Sequence, residues 1–177
     1  MKISTKRLVI NSLMIALVFL VTMLIRIPSP IPGGYFNLGD AIIMMAAILV
    51  GRRTGMIAGA IGAALADLAT GYLFFAPITF LVKGIEGYVV GVIADKSEDD
   101  TMGMILKLIS VVIGAIIIVA GYFILEMCVL RFIDKTLAVT VIVSEVPGNI
   151  IQGAASAVIA FILATILGNT PIKQKLN

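Results

Sequence analysis

Ten residues place a polar or aromatic head inside, or at the rim of, long apolar runs: Tyr35, Asn37, Asp40, Lys83, Glu86, Tyr122, Glu126, Glu145, Asn149 and Gln152. Their types suit recognition more than bond-making. Carboxylates and amides exchange hydrogen bonds, the ammonium holds an acceptor, and the phenol rings offer faces for stacking. Spacing groups them further. Lys83 and Glu86 are i, i+3, and Tyr122 and Glu126 are i, i+4, so each pair shares one helix face. Glu145, Asn149 and Gln152 fall at i, i+4, i+7, a polar stripe down one helix. A competing reading stays open: Lys83 and Glu86 pair merely to permit insertion, while Glu126 and Glu145 are interfacial caps.

Reactive chemistry is poorly provided for. The chain has no His, which excludes imidazole base catalysis and His-ligated metals. Its single cysteine, Cys128, lies in an apolar run and is expected to be a packing thiol, with no disulfide or CxxC site. There is no GxxxxGKS or GxxxxGKT phosphate loop and no GxGxxG fingerprint; Gly51, Gly55, Gly59 and Gly62 have helix-packing spacing instead. Any work that needs ATP must be supplied by another chain. Asp40, Asp67 and Glu86 could hold a divalent ion, but without His or a paired-Asp motif a membrane enzyme is the weakest functional class. No cofactor is expected.

The elements that position these residues follow from composition. Of 177 residues, 60% are hydrophobic and 13% charged, against about 45–50% and 25% in soluble domains. With a mean hydropathy of +1.16, the bilayer must solvate most side chains. Uncharged apolar runs predict six transmembrane helices over 8–25, 39–50, 54–70, 77–94, 104–130 and 143–167, an all-α membrane bundle forming one domain over 1–177. The second is short: a dozen residues reach about 18 Å against roughly 30 Å of hydrocarbon. The preceding Pro/Gly loop should complete that depth, folded against protein or lining a cavity.

Six spans put both termini on one side. That side receives Lys2, Lys6, Arg7, Arg52, Arg53, Lys96, Lys107, Lys173 and Lys175; the other receives Arg26, Arg131 and Lys135. The positive-inside rule then makes both termini cytoplasmic in the plasma membrane. The N-terminus is not expected to be a cleavable signal peptide. The net charge of +3 reflects this bias, and no basic aromatic surface suggests nucleic acid. With this orientation Asp40, Asp67, Lys83, Glu86, Glu126 and Glu145 all fall in the outer half of a span. Intramembrane charge is costly, so these residues should face a cavity or each other. The expected result is a polar pocket closed toward the cytoplasm and open outward.

The first loop ends Pro32-Gly33-Gly34-Tyr35-Phe36-Asn37-Leu38-Gly39-Asp40, with flexible glycines and two rings to stack on a planar ligand. An interfacial belt for the rings and an N-cap role for Asn37 or Asp40 are the alternatives. Gly55, Gly59 and Ala63, with Ala58, Gly62 and Ala66, form small-residue rows for close packing within the bundle; Ser12 and Ala16 form a shorter pair on helix one.

These features resemble the substrate-binding S components of energy-coupling factor (ECF) vitamin transporters, in the riboflavin-transporter-like family. The resemblance rests on Lys6-Arg7 entering helix one with Ser12 and Ala16, the loop ending Tyr35 to Asp40, the Gly/Ala-rich third helix through Asp67, and Lys83-Gly84 with Glu86-Gly87. It spans essentially the whole chain. It implies a pocket between the first loop and helices four to six that takes one vitamin or precursor from outside. It further implies docking through helix one onto a transmembrane scaffold (T) subunit coupled to two ATP-binding subunits. Ser12 departs conservatively from the usual Ala-xxx-Ala surface. Absence of Trp argues against thiamin, and pyridoxine or hydroxymethylpyrimidine binders look nearest. The alternative is a self-sufficient secondary transporter or channel, whose signs would be an inverted repeat and acids spread through the membrane depth.

Overall fold

The computed structural model describes residues 4–28, 35–95, 101–130 and 135–170, without the side chains of 26–28, 35, 130, 135–138 and 140–144. Described residues are almost entirely helical. Helix α1 (Thr5–Leu24) starts at Ser4, whose hydroxyl accepts the Arg7 amide at 3.3 Å. Strands β1 (Arg26–Pro28) and β2 (Tyr35–Asn37) pair antiparallel, Arg26 opposite Asn37 and Pro28 opposite Tyr35. Then come α2 (Gly39–Leu49), α3 (Arg52–Ile57), a π-helical turn (Ala58–Ala63) and α4 (Ala64–Ala69), the last three in one unbroken run. Helices α5 (Ala76–Ala94), α6 (Thr101–Leu130) and α7 (Lys135–Gly168) complete the chain.

Among the described residues, four helices are long and apolar enough to cross a membrane: Thr5–Leu24, Ala76–Ala94, Thr101–Val129 and Glu145–Gly168. Their outward faces are oily, with Leu13 59%, Ile116 59% and Val158 60% exposed. No soluble protein of this size leaves so much large apolar surface open, so lipid is the solvent there.

The short α2 is the hub. Apolar all round, it is buried on nearly every side against α1, α3, α5 and α7. Met44 and Ala47 join Val90, Val111, Ile118 and Ala160 in one core cluster, while Ile43 packs with Val18, Ala58 and Ala63 in another. Eleven residues give only about 17 Å of helix. The β1–β2 pair extends the element, and its mutual hydrogen bonds meet the rule that irregular backbone at depth must satisfy its polar groups. The Pro/Gly loop expected before α2 thus contains a short strand pair; residues 29–34, including Pro32, Gly33 and Gly34, lie outside the described residues.

Glycines set the closest crossing. A Cβ on Gly55 would sit 2.8 Å from Ala47 Cα and 2.9 Å from the Gly87 carbonyl oxygen, and one on Gly59 would collide with the Lys83 carbonyl. The α3–π run therefore lies backbone to backbone on α5, which places Lys83. The small-residue rows do pack within the bundle, but the π turn breaks their i+4 regularity. Gly62, within it, faces Ile15 and Val18 of α1 instead.

Two further expectations are corrected. Helix α7 begins at Lys135, eight residues before the expected start at 143, and runs through Pro147. Its early residues (Thr136, Val139, Thr140, Val141) are β-branched, which weakens a propensity signal but does not prevent a helix. Cys128 is exposed on α6 and is not a core thiol; in a bilayer, apolar neighbours in sequence do not imply burial.

Candidate functional site

The C-terminal ends of α1, α4 and α6, the start of α5, strand β2 and the middle of α7 converge on one cavity of about 90 Å³. One water needs roughly 10–15 Å³ on this measure, so the space holds several waters or one small planar solute. Lys6, Arg7, Arg52 and Arg53 lie at the opposite ends of their helices from the residues that line it.

Lys83, on the second turn of α5, sits at the heart of the site. Its Nζ lies 2.6 Å from Asp40 Oδ1 and 3.8 Å from Glu86 Oε2, with all three side chains at most 3% exposed. It also stands 5.0 Å from the Tyr122 ring centroid, over the negative face of the π system. The Tyr122 hydroxyl is 3.2 Å from Thr79 Oγ1. A lone ammonium could not remain here; flanking carboxylates and a ring face replace its lost hydration.

Asp40 passes the interaction on. Its Oδ2 accepts from Gln152 Nε2 at 2.7 Å. Gln152 Oε1 in turn accepts the Asn37 backbone N–H at 3.0 Å and its side-chain amide at 3.5 Å. Asn37 Oδ1 then accepts the Gly39 N–H at 2.9 Å, filling an orphan donor at the start of α2. Four elements (α5, α2, α7 and β2) are thus joined by one polar chain. The N-cap of α2 is Leu38, without a side-chain cap, so neither Asn37 nor Asp40 fills that role.

Glu126, 1% exposed near the end of α6, lines the cavity together with Glu145 of α7. Thr22 lines the same cavity, its Oγ1 buried and, among the described residues, without a hydrogen-bond partner.

Of the residues singled out from sequence, Asn37, Lys83, Tyr122, Glu126, Glu145, Asn149 and Gln152 line the cavity. Asp40 and Glu86 stand behind Lys83 and hold it, without lining the space themselves. The Tyr35 side chain lies outside the described residues; its neighbour Phe36 lines the cavity, against Gly148. Asp67, noted for its depth, lines it too.

Phe36 was read from sequence as a stacking ring; sequence reasoning missed Thr22, Tyr72, Phe75 and Thr79. One usable signal was Gly71. Its φ of 87° ends α4, with the Tyr72 N–H returned to the Asp67 carbonyl at 2.9 Å. This glycine-capped turn sends Tyr72 and Phe75, in edge contact at 6.4 Å, to the cavity. Among the described residues no three acidic or cysteine side chains converge as a metal site; Lys83 occupies the space between Asp40 and Glu86.

Ser12 and Ala16 lie elsewhere. Both are exposed on α1, where with Ile15, Phe19, Leu65 and Leu68 they line a shallow apolar groove between α1 and α4.

The profile of the family described as "ECF-type riboflavin transporter, S component" matches residues 2–169. A Pyrococcus woesei protein described as "uncharacterized protein in gap 3'region" is 44% identical over 101 residues, covering 57% of this chain and 65% of that protein. A UPF0397 protein of Streptococcus agalactiae is 32% identical over 103 residues, 58% of this chain and 56% of its own length. The chain thus spans less than two thirds of the length of these curated relatives. A solved structure described as "Structure and mechanism of the S component of a bacterial ECF transporter" aligns with a TM-score of 0.69 at 21% identity, over 93% of this chain and 96% of that one. The two share a fold. The chain belongs to the ECF-type riboflavin transporter S component family, a class of transporter subunits and not of enzymes.

Proposed function

We propose that, within this family, the chain is the substrate-binding subunit of an ECF importer. It captures a small water-soluble B vitamin or precursor from outside, with pyridoxine (vitamin B6) or hydroxymethylpyrimidine the leading candidates. The observation that carries this reading is the cavity, polar and ring-lined, at the end of the bundle away from Lys6, Arg7, Arg52 and Arg53. With the basic ends cytoplasmic, the cavity faces outward. Its volume suits one ring better than the three fused rings of riboflavin.

In this reading α1, α2, the α3–π–α4 run, α5, α6 and α7 are six membrane spans of a single domain over 1–177, with both termini cytoplasmic. Asn37, Lys83, Tyr122, Glu126, Glu145, Asn149 and Gln152 contact the ligand, Asp40 and Glu86 hold Lys83 in place, and Tyr35 belongs to the loop above them. The α1 groove around Ser12 and Ala16 is where the scaffold (T) subunit seats, since small residues let helices approach closely. Two ATP-binding subunits supply the energy, as the chain has no phosphate loop of its own.

Isothermal titration of the purified chain against a B-vitamin panel tests the proposal, with submicromolar binding of one compound expected. Binding to none overturns it. Ion-gradient-driven uptake by the chain alone in proteoliposomes would instead establish a self-sufficient secondary transporter.

A further inference from the structure

The cavity's charge is lopsided. Among the residues lining it Lys83 alone is basic, and Asp40 already holds that ammonium at 2.6 Å. Glu126 and Glu145 line the cavity together, and among the described residues no Lys or Arg pairs with either. A carboxyl pair with one member buried and no cation is an unfinished site: it offers acceptors and negative potential, and desolvating it is costly until a donor arrives. Thr22 Oγ1, 3% exposed and without a partner among the described residues, is a second unused polar atom at the same cavity. Aromatic rings complete the lining: Phe36, Tyr72, Phe75 and Tyr122. The face of such a ring attracts cations and electron-poor rings and repels anions.

We infer that the pocket selects a single-ring heterocycle carrying an N–H donor (an exocyclic amine or a protonated ring nitrogen), and that this donor lies against Glu126 and Glu145. Rings of similar size that bear a carboxylate are rejected, because the carboxyl pair and the ring faces oppose them. The inference rests on the vitamin-binding reading above and narrows it to one ligand chemistry. A site built to accept a hydrogen bond discriminates strongly against an analogue without the donor, because its own buried polar groups are then left unpaired.

The test uses the full chain in detergent and matched probe pairs in isothermal titration. One pair is 4-amino-5-hydroxymethyl-2-methylpyrimidine and its analogue with a methyl group in place of the amino group, which has no N–H. The other is pyridoxine and the benzene analogue with C–H in place of the ring nitrogen. Nicotinate serves as the anionic ring. In whichever pair binds, the donor-bearing member is expected to bind at least about tenfold tighter, nicotinate more weakly still. The ratio should collapse toward unity in Glu126→Gln and Glu145→Gln. Should either variant fail to fold, the probe pairs on the unmodified chain decide the matter alone. Equal or tighter binding of the donor-free member, or preference for nicotinate, overturns this inference and leaves vitamin binding standing. Failure of every probe and of the whole vitamin panel overturns the proposed function itself.

Discussion

Replacing Asp40 with alanine removes the nearer of the two carboxylates that hold Lys83 in the membrane. Breaking a buried ion pair by deleting one partner costs about 3–5 kcal/mol. Here Glu86 Oε2 waits 3.8 Å from the same ammonium and takes over part of its neutralisation, so the loss falls at the lower end, about 3 kcal/mol. Lys83→Met is harsher. It strips the cation from between two carboxyls that are each at most 1% exposed, and the cost rises to about 5 kcal/mol or more. Glu86→Gln is mild, because it keeps the volume and the 2.6 Å pair, and costs about 1 kcal/mol or less. Adding Asp40→Ala to Lys83→Met should recover part of the loss, since one orphaned carboxyl disappears. The chain has no Trp, so far-UV circular dichroism in detergent is the melting probe. At roughly 2–4 °C per kcal/mol for a chain of this length, Asp40→Ala should melt about 6–12 °C below the parent. The reasoning fails if Lys83→Met melts within about 3 °C of the parent, or if Glu86→Gln is the most damaging of the three.

Gln152→Leu cuts the link between Asp40 and strand β2. Ligand dissociation in surface plasmon resonance should accelerate at least tenfold while the melting temperature falls by only a few degrees; an unchanged off-rate would deny the Gln152 link to β2 a role in holding the ligand. Gly59→Leu drives a side chain into the Lys83 carbonyl, so α5 must shift, and titration should show binding lost even in protein that stays monodisperse. Retained affinity would contradict the close crossing. Bulk added to the α1 groove, as Ser12→Leu with Ala16→Leu, should abolish co-purification with the scaffold and ATP-binding subunits and leave vitamin affinity within about twofold. Equal loss of both would show that the groove and the pocket are not separate surfaces.

The sequence made the rods legible because charge at a membrane interface is a sharp boundary. The expected 39–50 and 77–94 match Gly39–Leu49 and Ala76–Ala94 within a residue. The polar stripes were equally readable, since in an oily chain Lys83, Glu126 and Gln152 have no solvent to face and must meet one another. What stayed hidden depends on contacts between distant segments. The β1–β2 pairing joins short segments with no strand-like run, and a proline ends one of them. Tyr72 and Phe75 look in sequence like any lipid-facing aromatic, and Thr22 like any hydroxyl tolerated in a helix; only the fold turns them to the cavity. The π turn leaves no mark in a run of Ala and Gly, where any helical period fits the small residues. Cys128 shows the same lesson inverted, because in lipid the exposed face is as apolar as the core.

The most direct test of the central claim is native mass spectrometry of the chain purified without added ligand, with the released small molecule identified by fragmentation. The account predicts one water-soluble, single-ring compound bound one to one, lost from Lys83→Met. Phospholipid alone, or a bound compound retained unchanged by that variant, would contradict it.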